Sequence, residues 1–250
     1  MKVTISPAEP AESRAIIELN EHAFQSTYDV LFDGRLKPET LDALAESRVK
    51  QLLKASEEVK AQTGPLSKRF FAFKAVDDET GEIVGEARWM IYYEDETLTK
   101  TIEEEQTERV TPPTPQMNVE ANRAFQKVLS TVKRLVLEVP DAQQQKDSKE
   151  RDLNEVKKLR KRVYLHVLAV HPNHQKKGIG RKLLQWGLDE ADRLGLIAYL
   201  EASNEGRPLY EQSGFEAVKK VSMDLTPLGS TGEIPLTAAK LRRGQATGGG

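Results

Sequence analysis

The strongest constraint in this chain is the order of three neighbouring patterns. The apolar run Val163-Tyr164-Leu165-His166-Val167-Leu168-Ala169-Val170 reads as a strand. Gln175-Lys176-Lys177-Gly178-Ile179-Gly180-Arg181 follows, and Leu183, Leu184, Leu188, Ala191 and Leu194 then recur at helical spacing. Strand, glycine-bearing turn and helix in this order make a candidate pyrophosphate cradle. Glycine lets a backbone approach a ligand closely, and the free N–H groups and positive dipole end of a helix start attract phosphate.

Two familiar cradles fail on their residues. A P-loop needs two glycines separated by four residues and followed by Lys and Ser or Thr, a spacing found nowhere in the chain. A dinucleotide fingerprint needs a third glycine at the place of Leu183. What remains is Gln-x-x-Gly-x-Gly after Leu168-Ala169-Val170-His171-Pro172, which resembles the acyl-CoA-binding motif of the GNAT N-acyltransferase superfamily. A second resemblance lies downstream. The strand-like Tyr199-Leu200-Glu201-Ala202-Ser203 precedes Gly206, then Leu209-Tyr210-Glu211, then Gly214-Phe215-Glu216, the order in which that superfamily places a strand, a short helix and the opening of its last strand. The likeness covers Val163 to Asp224 firmly and Phe70 to Tyr93 more loosely, and it is greatest toward serotonin- or arylalkylamine-type and fungal members.

The resemblance implies an α/β (α+β) GNAT fold: a mixed central sheet of about six to seven strands flanked by helices, with a helical insertion between the third and fourth strands. It also implies an acetyl-CoA-dependent N-acetyltransferase acting on a primary amine of a small molecule or peptide. A catalytically silent acyl-CoA-binding module of the same fold is the alternative.

Composition bounds the rest. With 250 residues, 38% of them hydrophobic, the chain is long enough for an ordinary core. A net charge of -2 argues against a nucleic-acid partner. The absence of cysteine excludes disulfides, thiolate zinc sites and a cysteine acyl-enzyme, so transfer is expected to be direct. No apolar run approaches a membrane span. A cytoplasmic monomer or homodimer that uses no metal is expected.

Along the chain, Val3 to Ser6 reads as a strand, and Ala15, Ile16, Leu19, Ala23 and Phe24 have helical spacing. Pro38 and a capping Thr40 open a second helix with Leu41, Leu44, Ala45, Arg48, Leu52 and Val59 on one side. Phe70–Val76 and Ile83–Tyr93 form an antiparallel hairpin across a turn at Asp77–Glu82. Residues 94–162 differ in composition and are taken as an insertion in a single domain of residues 1–226. Glu94 to Arg109 carries seven acidic and two basic residues, and Thr111-Pro112-Pro113-Thr114-Pro115 breaks regular structure. Asn118 then caps a helix with Ala121, Phe125, Val128, Val132, Leu135 and Val139 on its apolar side, before a polar run from Gln143. Residues 227–250, ending in three glycines, are expected to be a flexible tail.

The resemblance assigns roles to particular residues. Gln175, Lys176, Lys177, Gly178, Ile179, Gly180 and Arg181 hold the CoA pyrophosphate through main-chain amides and basic side chains. Leu168 and Val170 supply backbone contacts to the pantetheine arm and a main-chain N–H for the thioester oxygen. Tyr210 matches the tyrosine that protonates the departing thiolate. Reference values of about 10 for a phenol and about 8.5 for a thiol require that it be positioned, not strongly acidified. His166 matches the histidine of the serotonin-type enzymes and is the candidate base, with Glu201 acting through water as the other. Those enzymes have a further histidine where Tyr164 stands, so a two-histidine relay is not expected. Ser203 or Asn204 takes the place of an asparagine that bonds the pantetheine arm. His171 and His174 lie three residues apart without a nearby third ligand, so no metal site is expected. The acceptor pocket is expected from the first two helices, residues 89–93 and the insertion, whose acidic residues could attract a cationic amine.

Overall fold

A computed structural model of the chain describes residues 1–61, 66–110, 113–140, 153–228 and 231–241. The elements in chain order are β1 (Val3–Pro7), α1 (Ser13–Ala23), α2 (Gln25–Leu31), α3 (Pro38–Lys60), β2 (Lys68–Asp77) and β3 (Ile83–Tyr92). The insertion then contributes β4 (Glu96–Thr97), α4 (Ile102–Arg109), α5 (Val119–Leu137) and β5 (Lys158–Leu159). The remainder is β6 (Arg162–Val170), α6 (Ile179–Leu194), β7 (Ile197–Ala202), α7 (Arg207–Gln212), β8 (Glu216–Asp224) and β9 (Glu233–Leu241). Seven strands form one mixed sheet in the order β1-β2-β3-β6-β7-β9-β8, and β4 pairs with β5 in a separate two-stranded ribbon. Only β6 and β7 run parallel among the paired strands, because the crossover helix α6 joins them.

Local chemistry explains most of these boundaries. The β2–β3 hairpin closes where Gly81 takes φ 76° and donates its N–H to the carbonyl of Asp77, whose side chain accepts from Glu79 N. Asn118 caps α5 by accepting from Ala121 N at 3.0 Å, as its position predicts. Thr40 does not cap α3: Pro38 already stands at the start of that helix, and the Thr40 hydroxyl is buried against Gln116 Oε1 at 2.6 Å. α5 ends at Leu137, so Val139 falls outside it, and Leu135 is exposed.

The two faces of the sheet carry different cores. Leu183, Leu184, Leu188 and Ala191 of α6 pack beneath Trp89, Ile91, Val163, Leu165 and Leu200. On the opposite face α1 lies against β3 and β6, and α5 lies against β8 and β9. There Tyr92, Tyr164 and Tyr199 of the sheet share a cluster with Val132 and Leu137 of α5 and Leu159 of β5. The insertion is therefore seated on the sheet. Arg134, 1% exposed, binds it internally: one Nη bonds Glu105 Oε1 and the Lys100 carbonyl, and the other bonds the Leu153 carbonyl. Arg162 ties the insertion to β6 by pairing with Glu96 while its guanidinium lies over the Tyr92 ring, 3.7 Å from the centroid.

One expectation is corrected. Residues 233–241 are not part of a flexible tail but the strand β9, inserted between β7 and β8 and paired with both. Leu236, Thr237, Ala238 and Ala239 are buried there, and removing them would leave β7 and β8 without a shared neighbour. Residues 242–250, the polar run at 141–152 and the pair 111–112 lie outside the described residues.

The closest packing between sheet and α6 is at Gly187, where an added Cβ would come within 2.3 Å of the Trp89 indole. Trp89 is fully buried and cannot swing away. Gly187→Ala gains about 1 kcal/mol of helix propensity but overpacks the core by about 1–3 kcal/mol. A lowered urea midpoint with an unchanged denaturant slope is the expected result.

Candidate functional site

The site begins with a defect in backbone pairing. In the β3–β6 ladder Arg88 faces Val167 and Trp89 faces Leu165, so His166 is an extra residue with no partner opposite it. The parallel β6–β7 ladder runs only from Arg162–Ile197 to Leu165–Leu200 and stops at the same point. Beyond it β6 continues to Val170, paired on its β3 side alone, and the two parallel strands part. Main-chain groups on the β7-facing edge of residues 166–170 are thus left without a strand partner, open to a ligand.

The bulge also decides which side chains face which way. Tyr164 and His166 point to the α1 and α5 side, whereas Leu168 and Val170 pack with the α6-side core. There both touch the start of α6: a Cβ at Gly180 would lie 3.5 Å from Leu168 Cδ2, 3.8 Å from Val170 Cγ2 and 3.0 Å from Leu209 Cδ2 of α7. The glycine lets β6, α6 and α7 meet. Gly178, at φ 81°, caps α6, and the first bond of that helix runs from Lys182 N to the Gly178 carbonyl. The amides of Ile179, Gly180 and Arg181 therefore precede the helical bonding and point out of its N-terminus. Lys176 also takes a positive φ of 60°.

The side chains of this loop are partly engaged in holding it. Gln175 donates its amide to the Val170 carbonyl at 3.2 Å, Lys177 bonds the Asn173 carbonyl at 3.0 Å, and Arg181 reaches Gln212 Oε1 at 3.2 Å. Lys176 and Lys177 are exposed. Ser203 accepts from Gly206 N at 3.2 Å and so shapes the entry to α7, while Asn204 is exposed in the turn. His171 Nδ1 accepts from Asn173 N, and His174 lies against Met1 Sδ. No group of three metal-ligating side chains occurs among the described residues.

Tyr210 is held from two sides. Gly214, at φ 91°, turns the chain out of α7, Phe215 N bonds back to the Tyr210 carbonyl, and the Phe215 ring meets Tyr210 edge-on at 5.9 Å between centroids. Its own hydroxyl has no hydrogen-bond partner among the described residues, and burial pushes the phenol well above its ordinary value. The group therefore keeps its proton at any working pH.

His166 is exposed to solvent in the cleft that the parting of β6 and β7 opens. Its ring centroid is 4.0 Å from that of Tyr164. Burial, followed by the positive charges of Lys133, Arg88, Arg109 and Arg162, holds the imidazole well below its usual value of 6.5. It is neutral at physiological pH. Glu201, beside it on β7, accepts the Tyr164 hydroxyl at 2.6 Å and the Tyr199 hydroxyl at 2.8 Å, one on each carboxylate oxygen. Burial pushes its carboxyl up against the pull of Tyr164, Lys133, Tyr199 and Arg162. The loop, the strand gap and α7 thus meet through Leu168, Val170, Gly180 and Leu209, His166 stands at the bulge on the other face of the sheet, and Glu201 is occupied at the inner end of the gap.

Lys133, Arg88 and Arg109 around His166 were not legible as site residues, because in the sequence they look like any other surface cations. The acidic run is largely engaged within the insertion: Glu104 caps α4 with Thr101, Glu105 binds Ser130 and Arg134, Glu108 binds Lys100, and Glu96 binds Arg162. A cleft of about 420 Å³ lined by Asp95, Arg160, Lys161 and Ile197 opens at the other end of β6, away from these groups.

Residues 147–217 match the family model of the acetyltransferase (GNAT) domain, a span that contains the bulge, the loop and Tyr210. Over this segment the chain is similar to the GNAT acetyltransferases. Its segment is 36% identical over 66 residues to a probable acyltransferase, SID5, of Ajellomyces capsulatus, covering 25% of this chain and 48% of that protein. The chain thus spans about half the length of this curated relative. The fold is that of a polyamine N-acetyltransferase of Drosophila melanogaster, with TM-score 0.56, 11% identity and coverage of 97% and 100% of the two chains. It is also that of yncA from Salmonella typhimurium, solved with its cofactor acetyl-CoA, with TM-score 0.50, 17% identity and coverage of 99% and 97%. The likeness of fold therefore extends over both halves of the chain, beyond the segment that the family model matches.

The paired tyrosines make Glu201 a structural centre of the cleft. Tyr164→Phe removes one of its two donors and leaves a half-satisfied buried carboxylate, at a cost of about 1–3 kcal/mol. Chemical denaturation of the variant is expected to show that loss, and full stability would refute the arrangement.

Proposed function

We propose that the protein transfers an acyl group, acetyl first among them, from acyl-CoA to a primary amine by direct attack within a ternary complex. One observation supports this most: the parting of β6 and β7 at the His166 bulge opens toward the glycine-led start of α6. A diphosphate suits the amides at 179–181, whose positive helix end favours it without any dependence on side-chain type. The extended pantetheine arm suits the unpaired edge of residues 166–170, where it would bond like an added strand. A main-chain N–H on that edge would polarise the thioester carbonyl.

Tyr210 holds the proton for the departing sulfur. Its raised value makes full transfer uphill, so the phenol acts by donating a hydrogen bond that strengthens as charge builds on sulfur. His166 takes the proton of the incoming amine. Its imidazole lies open on the cleft and is neutral, whereas both oxygens of Glu201 are engaged by tyrosines. Glu201 therefore positions Tyr164 under the histidine ring. Gln175 and Ser203 hold the loop and the α7 entry in place through the bonds described above.

A silent CoA-binding module would also take CoA, but only an enzyme would release free thiol from acetyl-CoA when an amine is added. A panel of primary amines with a thiol-reactive dye is expected to show amine-dependent release, and calorimetric CoA binding without release from any amine would refute the assignment. Tyr210→Phe is expected to lower kcat by about 10²-fold while retaining CoA binding. Since His166 is held below 6.5, kcat/KM stays level through neutral pH and falls only as pH drops beneath that value and the imidazole protonates. His166→Ala should lower the rate by about 10²-fold and abolish this acid limb, and a variant that retained the limb would transfer the role to another group.

A further inference from the structure

We infer that Lys133, on the insertion helix α5, is an anion-binding residue of the acceptor site, and that the acceptor is an amine that also carries a carboxylate, such as an amino acid. This rests on the acyltransfer reading for the amine end and on the following geometry for the acid end.

Lys133 is 8% exposed, which is unusual for a lysine without a partner. No acceptor lies within hydrogen-bond or ion-pair reach of its Nζ among the described residues. It is buried on α5, the helix whose Val132 shares a cluster with Tyr164 and Tyr199, and its charge acts on both His166 and Glu201. Two carboxylates face it, and both are already taken: Glu201 accepts two tyrosine hydroxyls, and Glu96 pairs with Arg162. The charge of Arg109, exposed at the end of α4, acts on the same group, and among the described residues its guanidinium bonds the neutral side chain of Gln126. A third cation, Arg88, shares Glu86 with Arg48. Among the described residues, His166 therefore has near it a buried ammonium without a counter-charge and a second cation without a carboxylate partner.

An enclosed cation without a counter-charge is costly. A ligand carboxylate would remove that cost in a low-dielectric site where a charge-assisted bond is strong. A simple monoamine or polyamine would instead add positive charge to a cleft that already has an excess. The acid group fits the α5 wall and the amine fits His166, so both must belong to one small acceptor.

The test is binding, so it does not depend on turnover. Leucine, phenylalanine and lysine are titrated calorimetrically into the protein, with and without CoA, beside their decarboxylated counterparts isopentylamine, phenethylamine and cadaverine. At least one acid should bind about tenfold or more tightly than its own amine. That preference should vanish in Lys133→Met and persist in Lys133→Arg. Lys133→Met replaces an unpaired buried charge with an apolar chain of similar length, so it should fold at least as well as the wild type. Equal or tighter binding of the amines, no binding of any acid, or the same preference in Lys133→Met would overturn the inference. If acids bind in this way but no amine releases thiol from acetyl-CoA, it is the acyltransfer reading that fails and the anion site that stands.

Discussion

A sheet of this kind satisfies its backbone by pairing every strand with its neighbours, and of the three register shifts among the described strands one coincides with the end of a second ladder. At His166 an extra residue enters β6, and the ladder to β7 ends beside it. The proposed site is arranged around that interruption. The extra residue reverses the side-chain alternation, so Tyr164 and His166 face one layer while Leu168 and Val170 face the other. A regular strand would have kept β7 bonded along its length and filled the gap with main-chain hydrogen bonds. The core tolerates the opening because α6 packs tightly under both strands, with Trp89 lodged against Gly187 and Gly180 in contact with β6 and α7. Rigid packing on one face permits a cleft on the other.

The cleft face has the opposite character, since its order comes from polar groups. Two tyrosines hold Glu201, Arg162 lies over Tyr92 and pairs with Glu96, and Arg134 ties α4 to α5 through Glu105. Buried pairs of this sort contribute little net stability compared with apolar residues of the same shape, but they resist alternatives, because breaking one leaves an unpaired charge in a poor solvent. They locate the insertion, and the insertion carries Lys133 to the wall of the cleft. In the proposed reading α5 thus completes the site that β6 opens.

Patterns with a local cause were legible in the sequence. The Asp77–Glu82 turn, the Asn118 cap and the strand–glycine–helix unit each follow from neighbouring residues and appear where their chemistry places them, whereas the short helix carrying Tyr210 was legible only through the family resemblance. Strand β9 has no such local cause. It carries Pro235, which argues against a central strand, and only a short run of small buried residues. Its partners β7 and β8 supply the stability, and the proline is accommodated because the β7 ladder reaches only Thr237, leaving Pro235 paired with Ser222 on one side alone. The charges around His166 were illegible for a related reason. Lys133 and Arg134 are adjacent in sequence, yet among the described residues Arg134 has a carboxylate partner and Lys133 has none, a difference made by residues distant in the chain.

The same charges connect the proposed base to the proposed acceptor. With the cleft empty of anions, the positive field at His166 lowers its affinity for a proton. An amine without an acid group would meet a weak base in a repulsive cleft. A carboxylate seated at Lys133 would cancel the largest part of that field after burial itself, and the imidazole would become a better proton acceptor only once such an acceptor is in place. Specificity and reactivity would then have one origin. The ligand that fits the cleft electrostatically is also the one that activates its base, and binding energy at the remote carboxylate is expressed at the reacting nitrogen.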